Sequence, residues 1–184
     1  MHGSGELRFR HHQADEVTAI VQLFASVFAA SAGEAEGALI GGLAEKLFTT
    51  TDASDLFNLV AVDDGGVVAS LFFSRLHVSD ESEVFILGPV AVQTDRQGEG
   101  IGRALITHGL ADLVSRGVQA VLTYGDPKFY GKVGFRQLSP TVIKAPFQLS
   151  QPEGWLGQSL VEHAIESLSG QCRCVDALND PAFW

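Results

Sequence analysis

The residues whose types and spacing best suit chemistry lie in one short run, Gln97-Gly98-Glu99-Gly100-Ile101-Gly102-Arg103. It follows an apolar segment, Val84 to Val92, through a short polar link, and a helical pattern begins at Gly100. Glycines at a strand-to-helix junction let backbone N–H groups approach a ligand, because no Cβ stands in the way. A helix start adds unpaired donors and partial positive charge, so the junction suits an anion and above all a phosphate. Two familiar phosphate loops fail on spacing. A dinucleotide loop, G-x-G-x-x-G, needs glycine where Arg103 stands, and no Lys-Ser or Lys-Thr follows to complete a triphosphate loop.

A second block, Tyr124-Gly125-Asp126-Pro127-Lys128-Phe129-Tyr130-Gly131-Lys132-Val133-Gly134-Phe135, stands one helix and one strand further on. With the first it resembles the GNAT superfamily of acyl-CoA-dependent N-acetyltransferases. Gln97 to Gly102 fits that family's Gln/Arg-x-x-Gly-x-Gly/Ala, and Tyr130 to Phe135 is similar to its Tyr-x-x-x-Gly-Phe segment. The Gly-Asp-Pro opening looks like a bacterial-type branch. The resemblance implies acetyl-CoA (coenzyme A) as co-substrate, with no metal. It places the pyrophosphate on the loop Gln97, Gly98, Gly100, Ile101, Gly102 and Arg103, and the pantetheine arm along Val90, Ala91 and Val92. The implied reaction is direct attack of a primary amine, on a small molecule or a peptide, upon the thioester in a ternary complex. Transfer of a longer acyl chain, or a non-catalytic acyl-CoA-binding regulatory domain, are the alternatives.

The same resemblance gives Tyr130 the catalytic role of meeting the leaving thiolate. With a phenol pKa of about 10 and a thiol pKa of about 8.5, full proton transfer is uphill by roughly 2 kcal/mol. Hydrogen bonding is therefore the expected role. Two positions depart from the family. Ile86 stands eleven residues before Gln97, where the histone-modifying branch has a glutamate, so no base is assigned. Glu83, Glu81, Asp80 and His77 cluster at the mouth of the same strand, where action through water is the alternative to their reading as solvated loop residues. Gly125-Asp126-Pro127 replaces an asparagine that contacts pantetheine, and Asp126 reads as a helix cap.

Composition bounds the rest. At 184 residues, 46% hydrophobic and 18% charged, the chain suits a single globular domain, taken as residues 6–184 with a cofactor core at about 84–138 and an extension from 139. A net charge of −10 argues against nucleic acid, which needs a basic surface. No uninterrupted apolar stretch approaches the ~18 residues of a membrane span, and Met1-His2-Gly3-Ser4-Gly5 shows no leader pattern. A cytoplasmic location is expected, and a homodimer is left open. Cys172 and Cys174, two apart, read as ordinary strand cysteines.

The elements that must position these residues follow from periodicity. Leu7–His11 reads as a strand. A helix from Glu16 to about Ala30 carries Val17, Ile20, Val21, Phe24 and Phe28, and a second from Ala35 to Phe48 carries Leu39, Ile40, Leu43 and Leu47. Phe57–Val62 and Val67–His77 form a hairpin about Asp63-Asp64-Gly65-Gly66. Val84–Val92 is a strand with a bulge at Gly88-Pro89. A helix from Gly100 to Arg116 carries Ile101, Leu105, Leu110, Leu113 and Val114 and stops at Gly117. Val118–Tyr124 is a strand, Asp126-Pro127 opens a short helix, and Gly134–Leu138 begins another strand. Beyond Ser139, strands are expected near Val142–Gln148 and Cys172–Leu178, with an irregular or helical piece between. The expected fold is mixed α/β: a GNAT-type sheet of about seven strands, splayed between strands four and five, with about four helices. The first two helices and their loop (29–36), with strand residues such as Phe72 and Phe73, are expected to form the acceptor site. Phe24, Phe28, Phe72 and Phe73 themselves read mostly as core, and Glu34 and Glu36 as a polar helix start ahead of a contact to a cationic amine.

Overall fold

β-branched and aromatic runs become strands, and the apolar stripes between them become helices. The computed structural model describes residues 5–139 and 141–184; Met1–Ser4, where no leader is expected, and Pro140 lie outside the described residues. In chain order the elements are β1 (Arg8–His11), α1 (Val17–Ala32), α2 (Glu34–Thr50), β2 (Leu56–Asp63), β3 (Gly66–Leu76), β4 (Val84–Val92), α3 (Ile101–Ser115), β5 (Ala120–Tyr124), α4 (Pro127–Gly131), β6 (Arg136–Gln137), β7 (Ile143–Lys144), β8 (Trp155–Ser159) and β9 (Gly170–Gln171). Seven strands make one sheet in the order β1-β2-β3-β4-β5-β8-β6, and β7 pairs with β9 in a small second sheet. The expected class, a sheet of about seven strands and about four helices, is met among the described residues. β4 and β5 are parallel, and their ladder ends at Leu87↔Thr123 although β4 runs on to Val92.

The chain packs as two compact units. The first holds the residues up to Phe72 together with Pro89–Gly109. Here α1 buries Ile20, Leu23, Phe24 and Val27, while α2 buries Ile40, Leu43 and Leu47. The buried stripe of α1 is therefore turned from the expected one, with Leu23 and Val27 inside and Val21 and Phe28 only half-buried. Close helix contact explains the turn. A Cβ on Gly37 would lie 2.6 Å from Ala29 Cβ, and one on Gly41 2.8 Å from Ala25 Cβ, so α2 approaches α1 across its small residues. The segment Ala14–Ala32 is long and apolar enough to cross a membrane by length and composition; its buried stripe instead belongs to the core. Phe72 packs on Phe24 and Phe48, with ring centroids 5.4 and 5.0 Å away, and Phe73 is fully buried. Both are core residues, as the sequence reading of these aromatics expects, and neither is exposed enough to line an acceptor site.

The second unit comprises Phe73–Gly88 and Leu110–Trp184. Leu110 and Leu113 of α3 are buried here, but Val114 is 50% exposed, outside the face expected to include it. α3 stops as expected: Gly117 takes φ 82°, and the N–H groups of Gly117 and Val118 donate to Val114 O and Leu113 O. The extension departs most from expectation. Trp155–Ser159, expected to be irregular or helical, is a strand that pairs along all of β5 and carries β6 on its other side. Cys172–Leu178 is not a strand. Arg173 forms a lone bridge to His77, and Asp176–Leu178 is a 3-10 turn. Cys172 is buried beside Lys144 O, and both cysteines are free thiols.

Candidate active site

In the first unit, the anion loop is built between β4 and α3. Gly98 and Gly100 take φ 85° and 80°, a conformation that costs any residue with a Cβ about 1–2 kcal/mol. The first helical bond of α3 runs from Ala104 N to Gly100 O. The N–H groups of Ile101, Gly102 and Arg103 are thus left without a helical acceptor, at the positive end of a 15-residue helix. Arg103 is exposed, and its Nη2 lies 3.9 Å from where a Gly100 Cβ would be, so its guanidinium folds back over the loop. This cradle of open donors beside a cation fits a pyrophosphate.

The loop is tied down from several sides. Gln97 Nε2 donates to Val92 O at 3.1 Å, so this amide fastens the loop to the end of β4, next to Val90 and Ala91. Gln93 donates from its backbone to Val68 O and from its side chain to Val67 O. Arg96 donates from Nε to Glu99 and from Nη1 to Asp63, both at 2.8 Å. The Arg96 hydrogen bond first, and then that from Gly65 N, hold the Asp63 carboxyl below its usual range. Sequence reasoning missed Arg96 and Asp63, which lie far apart in the chain.

In the second unit, α4 presents Tyr130. Asp126 caps it as expected, accepting from Lys128 N at 2.9 Å, with Pro127 at the first position. Phe129 and Phe135 meet the Tyr130 ring edge-on at 5.0 and 5.8 Å. Gly125 has a purpose that the sequence did not show. A Cβ there would lie 2.6 Å from Tyr130 Cε2, so only glycine leaves room for the ring. Burial pushes the Tyr130 phenol up to about 12; the Thr123 hydroxyl pulls it back and the Asp126 carboxylate adds to the rise. Thr123 is itself fully buried and donates to Leu87 O at 2.8 Å.

The acidic cluster of the second unit is largely committed. Glu83 pairs with Arg75, whose guanidinium also stacks 4.8 Å over Phe85, and Asp80 accepts from Ser82 N. Glu34 and Glu36 stand in the first turn of α2, where a negative charge suits the helix dipole.

A family model described as an acetyltransferase (GNAT) domain matches residues 8–138. The chain belongs to that family. Among curated proteins, the N-acetyltransferase YhbS of Escherichia coli K12, itself described as uncharacterized, is 36% identical over 104 residues. That match covers 55% of this chain and 59% of YhbS, so the chain spans little more than half of that relative's length. The crystal structure of E. coli YhbS in complex with CoA superimposes with a TM-score of 0.81 over 98% of this chain and 96% of that one, at 24% identity. This shows a shared fold. A GNAT family acetyltransferase from Brucella melitensis, solved with acetyl-CoA, is 29% identical with a TM-score of 0.62, covering 83% of this chain and 96% of that one.

Proposed function

We propose that this GNAT protein moves the acetyl group of acetyl-CoA to a primary amine, and that residues 6–184 act as one acetyltransferase domain. The observation that carries the reading is the loop Gly98–Arg103, where left-handed glycines open onto three unpaired N–H groups and a cation. Such a loop is shaped for a pyrophosphate. The CoA and acetyl-CoA complexes of the structural relatives support the same cofactor.

When bound, acetyl-CoA supplies an activated acyl carbon as its thioester. The chain's own residues do the rest. The N–H groups from Gly98 to Arg103 hold the diphosphate, with Gln97 keeping the loop in place and Arg103 adding charge. Val90, Ala91 and Val92 offer backbone groups beyond the last β5 pairing for the pantetheine arm, like an added strand. A backbone N–H near Leu87, Gly88 or Val90 stabilises the thioester oxygen as it gains charge; Pro89 has no N–H to give. Tyr130 then meets the departing sulfur. With its phenol near 12 and a thiol near 8.5, complete proton transfer costs about 5 kcal/mol, so Tyr130 donates a hydrogen bond and keeps its proton.

The test is release of free thiol from acetyl-CoA against a panel of polyamines, amino acids, aminoglycosides and lysine peptides. Acceptor-dependent release is expected with at least one class. Silence across the panel, with CoA bound by calorimetry, would overturn amine acetylation in favour of a longer acyl donor or a binding domain.

A further inference from the structure

The phosphate loop carries a charge that ought to oppose its ligand. Glu99 lies inside the run Gly98-Glu99-Gly100, and Asp63 lies beside the loop at the end of β2. Two carboxylates here would repel a diphosphate by ordinary Coulomb interaction, and a partly solvated site screens that incompletely. Both are met by one residue. Arg96 Nε reaches Glu99 Oε2, and Arg96 Nη1 reaches Asp63 Oδ2. Asp63 spends its other oxygen on Gly65 N, which fixes the hairpin turn between β2 and β3. Arg96 and Asp63 are only 18% and 13% exposed, so this side of the bridge is held within the fold, while Glu99 is 47% exposed.

We propose that Arg96 is a positioning residue which neutralises Glu99 and Asp63, keeping the loop's field positive for the diphosphate without itself binding it. The guanidinium's planar fork suits two carboxylates at once, which a lysine cannot match. The loop's own cation, Arg103, is left for the ligand. Two pieces of chemistry are thereby separated: Arg96 cancels local negative charge, and the open N–H groups with Arg103 bind. This inference rests on the reading of the loop as the CoA diphosphate site.

The experiment measures CoA affinity by calorimetry and acetyl-CoA kinetics for wild type, Arg96→Gln, Glu99→Gln, Arg96→Gln/Glu99→Gln and Arg96→Lys. Thermal melts monitor folding. Arg96→Gln is expected to weaken CoA binding about tenfold, the effect of two freed charges, with kcat at saturating acetyl-CoA within about twofold. Removing Glu99's charge as well should recover about half of that loss on a logarithmic scale. Glu99→Gln alone should bind as well as wild type or slightly better, and Arg96→Lys should fall between. Raising the salt concentration should narrow the gap between Arg96→Gln and wild type. A simple mechanical brace predicts otherwise: the double variant would bind as poorly as Arg96→Gln, or worse, and that result overturns the proposal. Unchanged affinity in Arg96→Gln overturns it too. If wild type binds no CoA, the loop reading fails first, and this inference falls with it. Should Arg96→Gln not fold, Glu99→Gln still decides, because an affinity below wild type contradicts the charge argument.

Discussion

Replacing Tyr130 by phenylalanine removes one oxygen and leaves the ring that fills the space beside Gly125. Its edge contacts to Phe129 and Phe135 remain, so the fold should survive. A hydrogen bond to an ionised group contributes about 1.5–3 kcal/mol. Because the thiolate exists only as the reaction proceeds, that loss should appear in kcat, as a fall of about 10- to 150-fold, with KM for acetyl-CoA nearly unchanged. The pH dependence separates the two roles of the phenol. Burial holds the group near 12, so it remains a donor across the accessible range and adds no basic limb below about pH 11. A thiol-release assay from pH 7 to 10 reads both quantities. Equal turnover of Tyr130→Phe and wild type would refute the catalytic assignment. A basic limb at pH 8–9 present in wild type and absent from the variant would refute the neutral-donor argument, since the phenol would then be titrating.

The same phenol makes stability fall in alkali. Its folded pKa near 12 lies above the unfolded value of about 10, so its contribution is intact below pH 10 and is lost as pH rises toward 12, about 3 kcal/mol in all. Urea unfolding at pH 9 and pH 11 should show a smaller drop for Tyr130→Phe than for wild type; equal drops would contradict the burial of the hydroxyl. Two glycines of α2 should respond oppositely to alanine. Gly42 has nothing within 4 Å of an added Cβ, and Gly42→Ala should stabilise by about 0.5–1 kcal/mol, read as a higher Tm. At Gly37 the added Cβ would meet Ala25 O at 2.5 Å, and Gly37→Ala should lower Tm, overpacking of about 1–3 kcal/mol outweighing the helix gain. Gly100→Ala puts a side chain at φ 80° and should weaken CoA binding several-fold while the far-ultraviolet circular dichroism stays that of wild type; undiminished affinity would contradict the placement of the diphosphate.

Much of this was legible in the residue order. The hairpin announced itself through Asp63-Asp64-Gly65-Gly66, and the α4 cap through Asp126-Pro127, because both signals are local and spend their chemistry within a few residues. The loop Gln97–Arg103 was legible for the same reason. Three features were not. Arg96 with Asp63 is a partnership across more than thirty residues, so no window of sequence contains it. Gly125 reads as a turn glycine until the Tyr130 ring is placed against it. β8 is only five residues long and contains Gly157, which sits against Leu138 and Ile165, so its pattern was too short and too interrupted to declare a strand. The cysteine region failed for the opposite reason. Cys172-Arg173-Cys174-Val175 has strand-like composition, but its backbone makes one bond to Lys144 O and one reciprocal pair with His77, and these never extend into a ladder.

The position of β8 bears on how the chain is made. Among the described residues, β6 joins the sheet only through β8, and one long side of β5 is paired only by β8. During translation, therefore, β5 leaves the ribosome about thirty residues before the strand that pairs along it. Until Trp155–Ser159 arrives, Ala120–Tyr124 presents an uncovered apolar edge of the kind that recruits other chains. A nascent chain halted within this interval would be a candidate for chaperone capture, whereas the loop that precedes it would already have all of its tethers in place.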